Sequence, residues 1–240
     1  MKTRLDRLLV DRGLAGSREK AQALIMAGEV MLNGQKAAKP GQTVDAESTL
    51  EVLARPPFVS RGGLKLAAAL REFGIDVAGQ TCLDIGSSTG GFTDVLLQAG
   101  AARVHAADVG VGQLDWKLRN DPRVVVHEGI NARELRFEEI GERVSLITCD
   151  VSFISVTLIL PAAVPLLRDG GQMVILIKPQ FEVGKGQVGK GGIVRDAALH
   201  RAACERVESA VRELGFQTSV MDSPILGAEG NREFLLHARH

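Results

Sequence analysis

One loop of this chain has the composition of a ligand-binding loop. In the segment LDIGSSTGGF, residues 83–92, an apolar run ends at Asp84 and is followed by three glycines and three hydroxyl side chains. A strand that ends in glycine-rich backbone ahead of a helix offers free N–H groups and close access to the main chain. Nucleotides, dinucleotides and S-adenosylmethionine all suit such a loop, so the loop alone does not choose among them.

An acidic residue, Asp108, ends the next apolar segment about twenty residues after the glycines, where a carboxylate can accept hydrogen bonds from an adenosine ribose. The dinucleotide pattern G-x-G-x-x-G is absent, because the glycines fall at positions 86, 90 and 91. This spacing favours S-adenosylmethionine over NAD. The alternative is that the glycines only form a tight turn and that Asp108 only caps a helix. The expected cofactor-binding residues are Asp84, Gly86, Ser88, Thr89, Gly90, Gly91, Phe92 and Asp108.

A second glycine-rich segment, GKGQVGKG at residues 184–191, matches the P-loop pattern G-x-x-x-x-G-K up to Lys190. Gly191 then stands where a P-loop has Ser or Thr to hold magnesium. We therefore interpret the segment as a basic loop beside the site. Its lysines suit a substrate that carries phosphate groups.

Charged residues also follow apolar segments where strands are expected to end. Asp150 ends VSLITCD, and Lys178 follows the five apolar residues of MVILI. A lysine there is costly to bury alone, so we expect Asp150 to be its partner. Two further candidates are Lys65, in the helix after VSRGG, and Glu233, in the last strand segment NREFLLHA. The alternative for each residue taken singly is an ordinary salt bridge.

Alternating strand and helix patterns position these groups from Lys65 onward. This alternation is typical of a doubly wound parallel sheet, which binds ligands at the carboxyl ends of its strands. We therefore predict an α/β, Rossmann-like sheet of about seven strands. The predicted strands are residues 81–85, 103–108, 123–128, 144–150, 172–177, 216–222 and 234–238.

The N-terminal segment predicts a separate small α+β module. Thr3 is expected to cap a first helix and Ser17 a second one, and Asn33-Gly34 between apolar arms favours a type I′ hairpin turn. The segment ARPPFVSRGG, residues 54–63, has the composition of a linker. We therefore place one domain at residues 1–58 and another at 59–240.

The charge of the chain is balanced overall but uneven along its length. It has 29 basic and 29 acidic residues, yet residues 1–40 contain eight basic side chains against four acidic ones. Phosphate-binding candidates in this segment are Arg4, Arg7, Arg18 and Lys20. The apolar runs are too short to span a bilayer and the start has no apolar core of a signal peptide, so we expect a cytoplasmic protein. The three scattered cysteines indicate packing rather than a disulfide framework or a zinc site.

Several motifs together resemble one known family. They are SRGGLKL, LDIGSSTGGFTDVLLQAGA, VSFIS, KPQFEVGKGQVGKGG and GNREF, preceded by the N-terminal stretch RLDRLLVDRGLAGSREKAQALIMAGEVMLNGQ. The whole chain resembles the TlyA/hemolysin-A-like ribosomal RNA 2′-O-ribose methyltransferases. In that family the N-terminal stretch is an S-four RNA-binding domain and the remainder is an FtsJ-type methyltransferase domain. The family's Lys-Asp-Lys-Glu tetrad corresponds to Lys65, Asp150, Lys178 and Glu233.

The resemblance implies methyl transfer from S-adenosylmethionine to a ribose 2′-hydroxyl of ribosomal RNA within structured RNA or a ribosomal subunit, with a cytidine as the expected nucleotide. Lys178 would orient or deprotonate the hydroxyl, Asp150 would hold Lys178, and Glu233 would hold Lys65 or the ribose. No metal is required, because the sulfonium leaves as a neutral thioether. Two other classes stay open: a hemolysin-like membrane-active protein and a non-catalytic RNA-binding protein. The lack of an apolar span in the sequence argues against the membrane-active protein, and the intact tetrad argues against the non-catalytic one.

Overall fold

The computed structural model describes residues 2–53 and 57–240, and the chain divides into two compact units, Met1–Pro57 and Phe58–His240. Residues 54–56 of the predicted linker lie outside the described residues. The rest of that segment belongs to the second unit from Phe58 onward. There, the main-chain N–H of Val59 donates to Asp94 at 2.9 Å. No helix in the described part of the chain is long and apolar enough to cross a membrane.

The first unit contains two helices and two small antiparallel sheets around its own apolar core. Its sheets pair β1 with β4, and β2 with both β3 and β5. Leu5, Leu9 and Ala21 are fully buried between the helices and strands. The elements are β1 (Lys2–Arg4), α1 (Leu5–Asp11), α2 (Arg18–Met26), β2 (Val30–Leu32), β3 (Gln35–Lys36), β4 (Thr43–Asp45) and β5 (Leu50–Val52).

Local sequence signals in the first unit are confirmed in two cases and wrong in one. Ser17 caps α2, because its hydroxyl accepts a hydrogen bond from the N–H of Lys20 at 3.2 Å. Asn33 and Gly34 both have positive φ angles, of 50° and 80°, as a type I′ turn requires. The predicted cap at Thr3 is wrong, since Thr3 lies in β1 opposite Val44. This pairing joins segments about forty residues apart, which a local capping rule cannot detect.

The second unit is a seven-stranded sheet with the order β11-β12-β10-β9-β6-β7-β8. The strands from β10 to β8 are parallel, and β12 runs antiparallel to both β10 and β11. The strands are β6 (Thr81–Ile85), β7 (Arg103–Asp108), β8 (Val124–Glu128), β9 (Val144–Cys149), β10 (Leu167–Ile177), β11 (Gln217–Asp222) and β12 (Phe234–Arg239). The helices are α3 (Gly62–Glu72), α4 (Gly91–Gln98), α5 (Trp116–Arg119), α6 (Phe137–Ile140), α7 (Leu160–Ala163), α8 (Pro179–Glu182) and α9 (Ala197–Glu213).

Apolar residues cover both faces of this sheet, as a doubly wound fold requires. Successive residues of β6 point to opposite faces: Leu83 packs in one core cluster and Cys82 in the other. The predicted α/β class and strand number are confirmed. The largest error concerns β10, which begins five residues earlier than predicted. Leu167 pairs with Val144 ahead of an irregularity in the register.

Candidate active site

The loop between β6 and α4 depends on glycine at two positions. Gly86 and Gly90 have φ angles of 83° and 96°, a region that favours glycine, and Gly90 is the N-cap residue of α4. A Cβ atom at Gly86 would collide with the main-chain carbonyl of Asp150, and one at Gly90 would collide with Leu118. The loop can therefore lie directly against the end of β9, where Asp150 follows the strand.

Asp84 lies beneath this loop rather than in contact with a ligand. It is fully buried, and its two carboxylate oxygens accept hydrogen bonds from the hydroxyls of Thr93 at 2.7 Å and Thr148 at 2.9 Å. Burial raises the pKa of Asp84 to about 6. Asp84 is among the residues expected to bind the cofactor, and its fully buried carboxylate leaves no exposed surface for a ligand. Its carboxylate is occupied by side chains of α4 and β9, and so it supports the loop from below.

Asp108, at the end of β7, fastens the same loop. Its Oδ2 accepts a hydrogen bond from the N–H of Ser88 at 2.8 Å, and its Oδ1 accepts one from the N–H of Gly110 at 2.7 Å. A carboxylate has about four acceptor positions. Asp108 therefore retains acceptor capacity while it holds both the glycine-rich loop, through Ser88, and the segment after β7, through Gly110.

A cavity of about 480 Å³ opens beside Asp108 at the carboxyl ends of the strands. Its volume lies in the range of small-molecule and cofactor sites. The segments after β8 and β9 supply much of its wall. Asp150, after β9, is among the predicted site residues, whereas the contribution of the segment after β8 is absent from the sequence-based predictions. The segment EGINAREL after β8 was the available signal, because parallel sheets bind ligands with the loops after their strands. The lining residues include Gly86, Ser88, Asp108, Gln113, Ile130, Asn131, Leu135, Asp150 and Phe153.

The structure pairs Lys178 with Asp150. The Lys178 Nζ atom lies 2.6 Å from Asp150 Oδ1 and donates a hydrogen bond to the Ser152 hydroxyl at 2.9 Å. The contact with Asp150 is close but poorly aligned, and Oδ1 has no hydrogen-bond donor among the described residues although it is buried. The side chains of Lys178 and Asp150 are 12% and 21% exposed, so both are largely withdrawn from water. The pair therefore keeps unused hydrogen-bonding capacity at this point.

Lys65 and Glu233 form a second ion pair. Lys65 lies on α3, Glu233 precedes β12, and the ammonium group donates directly to Glu233 Oε2. Both residues are buried. Because buried charges need partners, each member of this pair stabilises the other.

Two smaller cavities bring the two ion pairs to one place. A cavity of about 250 Å³ is lined by Lys65, Lys178 and Asp150 together with the glycine-rich loop, including Thr89, Gly91 and Phe92. A second one, of about 370 Å³, is lined by Lys65, Lys178, Glu233, Gln180 and Phe181 among others. Both lysines thus face a common space next to the loop. Gly90, also among the residues expected to bind the cofactor, lines neither of these two cavities and packs against Leu118 beneath the loop.

The segment 184–191 does not have the conformation of a P-loop. It forms two short 3-10 turns, Lys185–Gln187 and Lys190–Gly192, whereas a P-loop leads from a strand directly into a helix. Asn231 holds its end: the side chain accepts from the N–H of Val194 at 3.0 Å and donates to the carbonyl of Gly192 at 2.9 Å. The segment lies beside Lys65, Lys178 and Glu233, because Val188 and Gly192 line the same cavity as these residues.

The predicted RNA-binding residues lie in the first unit and are partly ion-paired. Arg4 and Arg18 both contact the buried Asp6, at 2.9 Å and 3.0 Å, while about half of each arginine side chain stays exposed. The hydrogen bond from Arg4 holds the pKa of Asp6 well below its usual range. Arg7 forms only a long, exposed pair with Asp11, at 3.8 Å. Lys20 is exposed on α2.

A parallel sheet with an antiparallel last strand, a glycine loop after its first strand and an acid after its second define the class of S-adenosylmethionine-dependent methyltransferases. Comparison with known families agrees: residues 58–240 match the FtsJ-like methyltransferase family, and residues 3–50 match the S4 domain. The chain belongs to the FtsJ-like methyltransferases, within the TlyA/hemolysin A family.

Relatives match this chain over nearly its whole length. The 16S/23S rRNA (cytidine-2′-O)-methyltransferase TlyA of Mycobacterium tuberculosis is 51% identical over 99% of this chain and 90% of its own. Hemolysin A of Brachyspira hyodysenteriae is 45% identical over 98% of both chains. The 23S rRNA (cytidine-2′-O)-methyltransferase TlyA of Campylobacter jejuni is 38% identical over 95% of this chain and 96% of its own.

Solved structures agree with the fold. A Streptococcus thermophilus protein described as a hemolysin superposes with a TM-score of 0.76 at 45% identity, over 99% of this chain and 88% of that chain. An O-methyltransferase from Bacillus cereus superposes with a TM-score of 0.53 at 16% identity, over 77% of this chain and 84% of that chain. The second likeness concerns the methyltransferase fold alone.

Proposed function

We propose that this protein transfers the methyl group of S-adenosylmethionine to the 2′-hydroxyl of a cytidine in ribosomal RNA, within a ribosomal subunit or a structured RNA. One observation carries the proposal: Lys65 and Lys178, each paired with its own carboxylate, line the same two cavities beside the glycine-rich loop. Two ammonium groups facing one space suit an acceptor oxygen that becomes negatively charged during the reaction. Relatives that act on cytidine 2′-oxygens support the choice of acceptor.

The residues present fit S-adenosylmethionine. The largest of the three neighbouring cavities combines apolar side chains, such as Ile130 and Leu135, with the carboxylate of Asp108, as an adenine ring and a ribose diol require. The adjoining cavity, lined by Gly86, Thr89 and Gly91, has room for the amino-acid end. Between the two lies the buried Asp150 Oδ1, whose close contact with the Lys178 ammonium group is an ion pair that lacks hydrogen-bond alignment. These residues would hold the cofactor.

In the proposed reaction the protein aligns the acceptor and stabilises its charge. When bound, S-adenosylmethionine supplies an electrophilic methyl group on a sulfonium. Lys178 orients the ribose hydroxyl and stabilises the negative charge that grows on its oxygen as the hydroxyl proton leaves to solvent, while Asp150 and Ser152 fix the position of the Lys178 ammonium group. Lys65 adds a second positive charge at the same cavity, and Glu233 holds Lys65 in place.

The S4 domain supplies the RNA affinity in this proposal, and the methyltransferase domain supplies the chemistry, with the boundary near residue 58. Arg4, Arg7, Arg18 and Lys20 contact phosphate groups, which fixes the register of the RNA rather than its sequence. Ribosomal RNA as the substrate implies that the protein works in the cytoplasm.

The test is methyl transfer with purified full-length protein. Ribosomal subunits from a strain that lacks the gene are incubated with radiolabelled S-adenosylmethionine, and 2′-O-methyl positions are mapped against the complemented strain. We expect label at a cytidine of the small subunit, the large subunit or both, because the relatives differ in this respect. Label on a base rather than a ribose, or none on either subunit, would contradict the proposal.

The hemolysin names of two relatives call for a parallel assay. Erythrocytes are incubated with the same protein preparation, with and without S-adenosylmethionine. We expect methyl transfer without lysis. Lysis by a preparation that is inactive on both subunits would favour the membrane-active alternative.

A further inference from the structure

Glu182 is a buried carboxylate that joins two segments of the candidate active site. It ends α8, the single helical turn that follows Lys178, and only 3% of its surface is exposed. Its Oε1 accepts a hydrogen bond from the main-chain N–H of Val156 at 2.8 Å, and its Oε2 accepts one from the Ser155 hydroxyl at 2.6 Å. Both partners belong to the segment that follows β9.

These hydrogen bonds fix the start of the 3-10 turn Val156–Leu158. Ser155 is the N-cap residue of this turn, and the Val156 N–H is one of the groups that a helical turn leaves without an internal partner. A carboxylate at such a position makes a charge-assisted hydrogen bond, which is stronger than a neutral one. The hydroxyls of Ser155 and Thr157 lie 2.7 Å apart and complete the arrangement.

Several residues of the candidate active site lie between β9 and this turn. Asp150 and Ser152 both contact the Lys178 ammonium group. The ring of Phe153 packs against that of Phe181, with centroids 5.4 Å apart. Glu182 therefore holds the far end of a short segment whose near end is the strand itself.

Glu182 is in turn anchored to a long helix. Arg206, on α9, donates a hydrogen bond to the main-chain carbonyl of Glu182 at 2.8 Å. Since α9 has 17 residues and packs on the sheet, the main chain of Glu182 is held by a rigid element, and its carboxylate extends from there to the segment that it positions.

We propose that Glu182 is a positioning residue of the methyl-transfer site, a role that rests on the function proposed above. It keeps residues 150–154 in register with Lys178, so that Asp150 and Ser152 continue to orient the ammonium group when RNA enters the cavity. Its carboxylate acts through Ser155 and Val156 and not on the ribose.

The test compares Glu182→Ala and Glu182→Gln in the full-length protein. Glutamine can still accept from the Val156 N–H and can donate to the Ser155 hydroxyl, whereas alanine can do neither. We expect Glu182→Ala to lower kcat by about tenfold to a hundredfold, because a small misplacement at the reacting centre is costly. Its Kd for S-adenosylmethionine should rise by a smaller factor, since residues 150–154 form only one wall of the largest cavity. Glu182→Gln should restore most of the kcat.

The matched control is Glu208→Ala, which removes a carboxylate that bonds Arg212 and Thr218 on α9 and β11. Turnover is expressed per folded molecule, counted by titration with S-adenosylmethionine. Wild-type kcat in Glu182→Ala would overturn the proposal, even if thermal stability fell. So would equal losses in Glu182→Gln and Glu182→Ala, because the hydrogen bonds would then not explain the effect.

Hydrogen exchange separates this proposal from the proposed function, because it needs no turnover. The Val156 amide should be protected in wild type and in Glu182→Gln and should exchange much faster in Glu182→Ala. Absence of methyl transfer by the wild type, with this exchange pattern intact, would reject the RNA substrate and retain the positioning of the segment. Unchanged exchange in Glu182→Ala would reject the positioning role.

Discussion

Lys178 carries the most direct prediction at the scale of single residues. Replacement with methionine keeps the apolar stem but removes the ammonium group that Asp150 and Ser152 hold. Because this group is proposed to act on the charge that develops during transfer, we expect kcat to fall by about 10²-fold to 10⁴-fold with cofactor binding nearly unchanged. Radiometric methyl transfer and calorimetry measure the two quantities.

The control for that experiment is Lys117→Met, which changes an exposed lysine on α5. It should methylate ribosomal RNA at the wild-type rate. If Lys178→Met also retained the wild-type rate, Lys178 would have no part in the reaction. Lys65→Met and Glu233→Gln should resemble Lys178→Met, since these residues form the second ion pair of the same cavity.

Asp108 carries a second prediction, on affinity. Asp108→Asn leaves one acceptor oxygen for the two N–H groups of Ser88 and Gly110 and removes the charge proposed to hold the ribose. We expect the free energy of cofactor binding to weaken by about 1–3 kcal/mol, the range for losing a hydrogen bond to a charged group. Calorimetry with the full chain measures it, with Asp76→Asn as control because Asp76 bonds only the nearby Ala78 N–H. Equal affinity in both variants would remove Asp108 from the site.

Residues of the candidate site differ in how far the sequence reveals them. Asp150 and Lys178 stand out because a charge after an apolar run is costly unless it has a partner. Asp84 has the same appearance, yet its partners are Thr93 and Thr148, and the second comes from a different strand. Glu182 reads as an ordinary surface glutamate, because its burial depends on the segment that follows β9. The roles of these residues therefore differ through partners that are distant in the sequence, and residue type alone does not distinguish them.

At the scale of elements, β7 and β8 share a pair of histidines that predicts a pH effect on stability; His105 is buried and His127 is half-buried. His105 Nδ1 lies 2.9 Å from His127 Nε2, and His105 Nε2 lies 3.1 Å from Glu142, which also binds Arg103. Burial lowers the pKa of both histidines, against the opposing effect of Glu142 on His105.

The sign of this effect follows from linkage. Below pH 6.5 the unfolded chain binds protons at His105 and His127 more readily than the folded protein does, so the free energy of unfolding falls as the pH decreases. The stabilising contribution is therefore fully present above this pH and is lost progressively below it. In urea unfolding at pH 7.5 and 5.5, acidification should lower the free energy of unfolding of the wild type relative to that of the double variant His105→Gln/His127→Gln. Asp84, whose raised pKa acts in the opposite direction, is present in both proteins and cancels in this comparison. An equal effect in variant and wild type would assign the pH dependence to other groups.

Element types in the sheet are predictable where the strand is a mainly apolar run that ends at a glycine or an aspartate, as in β6, β7 and β9. The start of β10 and the strands β1, β4 and β5 cannot be predicted in this way. Leu167 joins the sheet through Val144, and the three N-terminal strands have three residues each, too few for an alternating pattern. Such elements depend on partners that are distant in sequence, which a local pattern cannot supply.

At the scale of the whole molecule, the two units have separate cores. The first is built around Leu5, Leu9 and Ile25, and the second around the two faces of the sheet. Each unit should therefore fold when the other is absent. The chain is electrically neutral overall, so phosphate affinity depends on how charge is divided between the units, and the excess of basic residues lies in the first forty positions.

Salt dependence tests that division of charge. Arg7 and Lys20 are exposed on α1 and α2, and Arg7 makes only a long ion pair. If they contact phosphates, Arg7→Ala and Lys20→Ala should each flatten the plot of log affinity against log salt by somewhat less than about one unit, since each contact releases a condensed counterion. Filter binding of a ribosomal subunit at several salt concentrations measures the slope. Slopes equal to that of wild type would place the phosphate contacts elsewhere.

Deletion of residues 1–57 separates cofactor binding from RNA recognition. The remaining unit, Phe58–His240, keeps the glycine-rich loop, Asp108 and both ion pairs, so its Kd for S-adenosylmethionine should stay close to that of the full chain. Its methylation of ribosomal subunits should fall by at least about a hundredfold at moderate salt, because the loss of several phosphate contacts lowers affinity steeply. The full chain should also prefer a subunit to an unstructured oligonucleotide of the same sequence, since helices and small hairpins recognise shape more than single bases. Full activity of the truncated protein on subunits would mean that the methyltransferase unit finds its target alone.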